Sequence, residues 1–321
     1  MSKTTKVWLI SATLLMVVGL TMVGSVLLIN GLDIKKMDSS NYETNIYEID
    51  DEFNNLTLNT DTADIAFALS EDGKCRVECY ERVKQKHSVA VTGNSLVINV
   101  VDEREIYDYI GINLGTPKIT ICLPRNEYAS LTIDEDTGDV GIPKDFRFEN
   151  VKITLGTGDV FFGASASKSV KIRTSTGHIR LSNVSADILE LSTSTGTVTV
   201  NNATCDNDVK ITVSTGKSYV YNVKCRNFES TGSTGEITLK NVIANQKIEI
   251  ERSTGDVEFD GCDANEVYIK TGTGDVEGDF LTDKVFMVDT DTGDVEVPRT
   301  SNGGRCEIMT STGDIEIEIS K

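Results

Sequence analysis

Apolar residues recur along this chain in three regimes. Val7 to Ile29 is 23 residues without a charge, and as a helix it would extend about 35 Å at ~1.5 Å per residue, enough to cross a bilayer. A cleavable signal peptide would have an apolar core of about 7–15 residues followed by a small-x-small site, so the run reads as an uncleaved anchor. Residues 30–45 are polar and aperiodic, which is the pattern of a juxtamembrane linker. From residue 46 the chain alternates between apolar and polar, loosely at first, as in "NSLVINVV" and "KITICLPRNEYASLTI", and strictly after about residue 135.

The strict part is a repeat. Aligning the phrase "TGD" on its glycine gives Gly138, Gly158, Gly177, Gly196, Gly216, Gly235, Gly255, Gly274, Gly293 and Gly313, at steps of 19 or 20 residues. Thr precedes every one. The position two after is Val or Ile except at Ser218, and the position four after is apolar except at Gly278. Counting back seven and five residues from the next glycine gives a second alternating pair, such as Val151 with Ile153 or Val267 with Ile269. Each unit therefore holds two short strands with one buried face. Glycine makes one corner, and a turn such as "SNV", "NNA" or "KNV" makes the other.

Hairpins of an up-and-down barrel could share this pitch. Matching columns favour stacking instead: all-Thr, all-Gly, Val/Ile, and a small-residue column of Ser167, Ala186, Cys205, Cys225, Ala244 and Ala264. The predicted fold is all-β, a single-stranded parallel β-solenoid (β-helix-like) of about ten 19–20-residue rungs about 4.8 Å apart, preceded by an N-terminal transmembrane helix. The predicted segments are a short cytoplasmic tail (1–6), the anchor (7–29), the linker (30–45), an irregular β-rich capping region (46–135) and the repeat solenoid (136–321). "TADIAF" at Thr62 echoes the repeat with alanine in place of glycine, so residues 46–135 are expected to cap the first rung, with a separate small β domain as the alternative.

Charge changes the picture in two ways. A net charge of −19 argues against nucleic-acid partners. Residues 255–321 hold 17 Asp plus Glu against 5 Lys plus Arg, so the acid is concentrated at one end, either as a solvated surface or as an acidic docking face.

The residue after each glycine runs Asp139, Asp159, His178, Thr197, Lys217, Glu236, Asp256, Asp275, Asp294 and Asp314. Carboxylates stacked about 4.8 Å apart repel by roughly 0.9 kcal/mol even at the dielectric of water, so four consecutive Asp need a reason. One is structural, an Asp accepting turn N–H groups at each corner. The other is a ladder of Asp256, Asp275, Asp294 and Asp314 that binds Ca²⁺ or a cationic ligand. No other cofactor is implied. The seven cysteines include no CxxC pair, and His87 and His178 are far apart in sequence, so neither a zinc site, nor a disulfide framework, nor a Ser/His/Asp triad follows. Cys205 and Cys225 share a column in adjacent rungs and are either two buried thiols or a bridge. The unit from Gly216 to Gly235, with Ser218 and Ser230 at core columns, is the least regular.

The stretch "KITICLPRNEYASLTIDEDTGDV" and the repeated "STGD[VI]" phrase resemble the bacterial "putative adhesin" β-solenoid family, including membrane-anchored members associated with the Gram-positive cell-envelope stress response. The resemblance covers about residues 46–319. It implies a surface-exposed binding or sensing module without enzymatic activity. The expected protein is thus a single-pass protein of the cell membrane with its C-terminal domain extracytoplasmic. Its expected partner is an envelope protein, polymer or cationic peptide. A self-assembling structural scaffold is the alternative, because "GDIEIEISK" ends the chain on a strand.

Overall fold

The computed structural model describes residues 2–29, 41–109 and 115–320. Most of the segment read as a linker, residues 30–40, lies outside the described residues. Lys3–Ile29 is a single α-helix. Its Lys3–Ser25 stretch has a mean hydropathy of 2.1 and buries nothing against the rest of the chain. A helix apolar on every face and covered by no protein is long enough to cross a membrane. A strand, Tyr42–Ile49, begins within the last residues of the segment read as a linker.

The remainder is a β-solenoid. From Glu127 onward each rung supplies one strand to each of two parallel ladders. In one ladder Val151, Val170, Leu189 and Val209 stack in register, and in the other Val140, Val160, Ile179 and Val198 do. These side chains are buried and form the core, which is continuous from Leu56 to Ile317. The period-two alternation of the sequence is therefore the alternation between core and solvent.

The glycine corner is the tightest point. The repeat glycines have φ between 128° and 157°, a region open to glycine and strained for other residues. A Cβ on Gly177 would also lie 1.9 Å from the carbonyl oxygen of Gly158, and one on Gly196 would lie 1.9 Å from that of Gly177. Stacking thus excludes a side chain at this column independently of φ. The corner also interrupts the backbone ladder for one peptide. Gly158 N–H and Val160 N–H donate to Thr176 and His178 carbonyls of the next rung, while the Asp159 N–H between them points back and is met by the Asp139 carboxylate at 2.8 Å. The orphaned glycine carbonyls accept from threonine hydroxyls three residues before the next glycine, as in Thr174 to Gly158 (3.3 Å) and Thr193 to Gly177 (3.2 Å). Asp and Thr therefore complete a ladder that glycine breaks.

The opposite corner is held by Asn183, Asn202, Asn222 and Asn241, at φ between 52° and 58°. Asparagine tolerates this left-handed region because its short amide can bond locally. Here the amides bond to one another along the axis, Asn202 to Asn183, Asn222 to Asn202 and Asn241 to Asn222, at 3.1, 2.9 and 3.0 Å. The rung after Gly158 lacks this asparagine and is one residue shorter there. Consequently Ala166, not the exposed Ser167, fills the small-residue column. All seven cysteines are free. Cys205 and Cys225 are unbridged, and burial pushes both thiols up to about 12.

Both ends depart from sequential stacking. At the C-terminal end, Glu266–Thr273 pairs with Gly304–Thr312, which pairs in turn with Lys284–Thr292. The last rung of the chain is inserted one place inward, and the penultimate rung, residues 284–296, closes the stack. The expectation of a bare terminal strand is corrected accordingly: Ile315–Ile319 has Val276–Phe280 on one side and Val295–Glu296 on the other. Lys284, 1% exposed, donates to Asp263 and so ties the closing rung to a rung beyond the inserted one. At the N-terminal end, Asn55–Thr62 lies between Glu127–Thr137 and Ser95–Asp102, again one rung in from the edge. Ala63 stacks against Gly138, as the "TADIAF" echo implied. The strands Tyr42–Ile49, Cys75–Arg82 and Gln85–Thr92 add antiparallel pairings at this end, and buried residues from Leu56 to Ile133 belong to the same core as the repeats.

Gly177→Ala is expected to destabilise the solenoid by at least ~1–3 kcal/mol from backbone conformation alone, with the clash against Gly158 adding to it. The denaturant midpoints of wild type and variant measure this. An exposed control such as Thr204→Ala should change little.

Candidate functional site

The four aspartates singled out from sequence stand in one column, but in the order Asp256, Asp275, Asp314, Asp294. Asp256 Oδ1 accepts from the Asp275 N–H (3.0 Å), Asp275 Oδ1 from the Asp314 N–H (2.8 Å) and Asp314 Oδ1 from the Asp294 N–H (2.7 Å). One oxygen of each of the first three therefore serves the corner. His178 replaces Asp in the same role: its own N–H is held by Asp159 at 2.8 Å, and its Nδ1 accepts from the Thr197 N–H at 3.1 Å.

Two residues along each strand stands a second acidic column. Glu258 is in register with Glu277, Glu277 with Glu316, and Glu316 with Glu296. All four are exposed. Burial, then the charges of Glu258, Asp275, Glu316 and Asp256, raise the Glu277 carboxyl above its ordinary value. Asp256, Asp275 and Asp314 have backbone N–H groups to bind, whereas Glu258 accepts one long bond, from the Thr238 hydroxyl at 3.4 Å. Eight carboxylates thus form a two-column acidic strip over four rungs. The glutamate half of it opposes folding by mutual repulsion.

The asparagine corner offers a contrasting surface, an open groove of ≈ 540 Å³ lined by Asn183, Asn202, Asn222, Asn241, Thr204 and Lys224 among others. Its lining mixes these polar groups with Val184, Ile243 and Leu281 and carries one charge, that of Lys224, and each asparagine that donates along the ladder has a second amide hydrogen left over.

Two buried polar positions were not interpretable from sequence. Arg252, 6% exposed, occupies the column three before the glycine, where Thr174, Thr193, Thr271, Thr290 and Thr310 stand in other rungs. Its guanidinium donates to Ser230 Oγ (2.8 Å), Ser218 Oγ (3.4 Å) and the Glu251 carbonyl (3.2 Å). A Cβ on Gly232 would lie 2.7 Å from Arg252 Nη1. Ser218, Ser230 and Gly232, which make that rung irregular, are thus the polar lining and the space for one buried arginine. Glu135, 1% exposed, fills the same column at the other end and accepts from the Ala63 N–H at 2.9 Å. Its second oxygen has no partner. Burial pushes this carboxyl up to about 8. The Ala63 N–H opposes that shift, and the charges of Asp61, Asp136 and Asp64 reinforce it.

The profile of the Toastrack DUF4097 family matches residues 143–220 and 218–321, more than half of the chain. The β-solenoid family expected from the "TGD" phrases is thereby met. Among solved structures the chain is similar to a "putative adhesin" from Bacteroides fragilis NCTC 9343, with 18% identity, 87% of this chain and 98% of that one covered, and a TM-score of 0.42. It is also similar to a "putative adhesin" and a "putative lipid binding protein", both from Parabacteroides distasonis ATCC 8503. These share 9% and 16% identity, cover 87% and 88% of this chain and 98% of theirs, and have TM-scores of 0.48 and 0.47. No curated protein matches the chain.

Glu135 has a folded-state pKa above its unfolded value, so it stabilises the fold while protonated. That contribution is lost as pH rises from about 4.5 to 8. Chemical denaturation at pH 5 and pH 8.5 is expected to give a lower stability at the higher pH. Glu135→Gln keeps the acceptor for Ala63 without a titrating proton and should remove at most ~5 kcal/mol of that difference, at ~1.36 kcal/mol per pKa unit.

Proposed function

Since the chain belongs to the Toastrack DUF4097 family, we propose that it is a non-enzymatic, membrane-anchored extracytoplasmic β-solenoid, a binding or sensing module of the bacterial cell envelope whose acidic strip receives a cationic partner. The glutamate column carries this reading. Asp256, Asp275 and Asp314 hold corner N–H groups, but Glu258, Glu277, Glu316 and Glu296 repel one another without a comparable return. A costly, exposed, single-sign surface on a rigid scaffold is what a positively charged ligand would recognise. Basic peptides and amine-bearing envelope polymers have that chemistry. Calcium is the simplest cation that the free oxygens of Asp256, Asp275, Asp314 and Asp294 would take.

The apolar Lys3–Ser25 helix supports tethering as a single-pass anchor, which would keep the strip at the membrane and suits a part in an envelope-stress response. Catalysis has little support: the acidic strip carries no histidine, and a hydrolytic or eliminating site needs an acid and a base of different pKa. The alternative of a self-assembling scaffold is weakened by the closing rung, whose exposed Asp289, Asp291, Asp294 and Glu296 would face like charges in an end-to-end pair.

In-cell crosslinking from a photoreactive residue at position 258, with a second site at Thr204 in the asparagine groove as control, tests the proposal. Adducts to basic proteins or peptides from position 258 and not from 204 are expected. Adducts confined to other copies of the chain would contradict it and favour the scaffold. Calorimetric titration giving no heat with millimolar calcium would remove that ion from the strip.

A further inference from the structure

The closing rung of the solenoid has a rung beneath it and, among the described residues, none above. Its strands Lys284–Thr292 and Val295–Glu296 pair inward with Gly304–Thr312 and Ile315–Ile319. In the rungs beneath, the corner glycine N–H and the N–H two residues later donate to the next rung. Gly274 and Val276 donate to Thr312 and Asp314, and Gly313 and Ile315 donate to Thr292 and Asp294. The corresponding groups of the closing rung, the Gly293 and Val295 N–H, face outward. The Gly293 carbonyl stands where Gly313 accepts from the Thr290 hydroxyl and Gly274 from that of Thr310. The Asp294 carboxylate stands where Asp256, Asp275 and Asp314 each accept the next N–H. This corner thus presents two donors and two acceptors in the arrangement by which each inner rung holds its successor.

The core is open at this end as well. Phe286, Val288 and Val295 stand in register with Cys306, Ile308 and Ile315, which are at most 1% exposed. Val295 itself is 45% exposed, and Phe286, Val288 and Val297 are half-buried. The exposed charge of the rung is of one sign, that of Asp289, Asp291, Asp294 and Glu296, because Lys284 is buried against Asp263. Past Glu296 the outer strand gives way to Pro298, while the strand beneath continues to Ile319. The step leaves an open groove of ≈ 350 Å³ lined by Val297, Ile317 and Ile319 and by Glu296, Glu316 and Glu318.

We propose that the closing rung is a docking edge for one extended segment of a partner protein, with apolar and basic residues in alternation, which adds to the solenoid as a further parallel rung. This rests on the reading of a cationic partner and gives that partner a mode of attachment. In strand addition the backbone of the incoming segment supplies affinity and its alternate side chains supply specificity. Apolar side chains of the segment cover Phe286, Val288 and Val295, and basic ones face Asp289, Asp291, Asp294 and Glu296. The corner adds a requirement that charge alone does not. From Gly158 onward, a Cβ on each repeat glycine would lie 1.8–2.3 Å from the carbonyl oxygen of the glycine beneath it, so the segment needs a glycine over Gly293. A second copy meeting this edge end to end is the poorer occupant, because it brings the same four acids against it.

The test uses the full chain in detergent and the synthetic peptide "TVTIKTKTGKVK", whose glycine is set over Gly293 and whose lysines are set over the four acids. Peptide binding is expected to slow amide exchange at Gly293 and Val295. Val295→Pro removes one outward N–H without breaking a bond inside the rung, and should weaken binding by about tenfold or more. Replacing the peptide's glycine by valine should weaken it as much, and replacing its lysines by glutamate should abolish it. Glu258→Gln, on the acidic strip three rungs in, should leave the affinity within about twofold, since screened charges at that distance couple weakly. Equal affinity for wild type and Val295→Pro, or for the glycine and valine peptides, overturns the docking edge and leaves the strip as the cationic site. The valine peptide keeps the test decisive if Val295→Pro does not fold. Absence of binding at millimolar peptide also overturns the edge, while crosslinking from position 258 judges the strip separately. A wild-type dimer that Val295→Pro converts to monomer in sedimentation would make a second copy the occupant, and would overturn the proposal too.

Discussion

The structure depends on one peptide per rung. At each glycine corner the chain must turn within the ~4.8 Å repeat of its neighbours, and it does so with a glycine whose Cα lies against the carbonyl of the glycine below. That geometry turns one N–H and one C=O out of the backbone ladder. Asp supplies the acceptor and Thr the donor that restore them. The glycine and aspartate of "TGD" are therefore the corner and its acceptor, while the donor threonine stands three residues before the glycine, as Thr174, Thr193, Thr271, Thr290 and Thr310 do. His178 accepts with an imidazole nitrogen, so the acceptor at this column need not be a carboxylate.

This separates two kinds of acid on the same face. Asp256, Asp275 and Asp314 are accounted for by the corner, whereas the glutamates beside them are not. The strip's strength also depends on chain order at the end of the stack. Inserting residues 304–319 between the rungs of Glu266–Phe280 and Lys284–Glu296 gives the terminal strand neighbours on both edges, where a free terminus would fray. It leaves as the outer edge a rung bearing Asp289 and Asp291, charges that discourage pairing with a second copy. The N-terminal end uses the same device, with Asn55–Thr62 drawn in beneath Ser95–Asp102.

The period, the two strands per rung, both corners and the core columns were legible in the sequence because each is a local requirement repeated at fixed spacing. Rung order at the ends was not, since identical columns stack equally well in any order. The signal that could have revealed it is "NGG": Gly303 has φ 116°, and a Cβ on Gly304 would lie 2.2 Å from the Asn265 carbonyl, both consequences of slipping a strand between two others. Ser218, Ser230 and Gly232 looked like defects because the arginine they serve lies in the next rung. His87 looked isolated because its partner, Glu81, meets it only across a hairpin. Ser167 was misplaced by one residue where a rung shortens.

Residue-resolved amide hydrogen exchange on Asp275→Ala tests most directly whether side-chain acceptors at the corner hold the stack together in this order. Asp275 Oδ1 accepts the Asp314 N–H, 39 residues away, so protection at Asp314 should fall while protection at Asp294, held by Asp314, is retained. Loss of protection at Asp294 with Asp314 unaffected would mean sequential stacking. No change at either position would mean that the carboxylate does not complete the ladder.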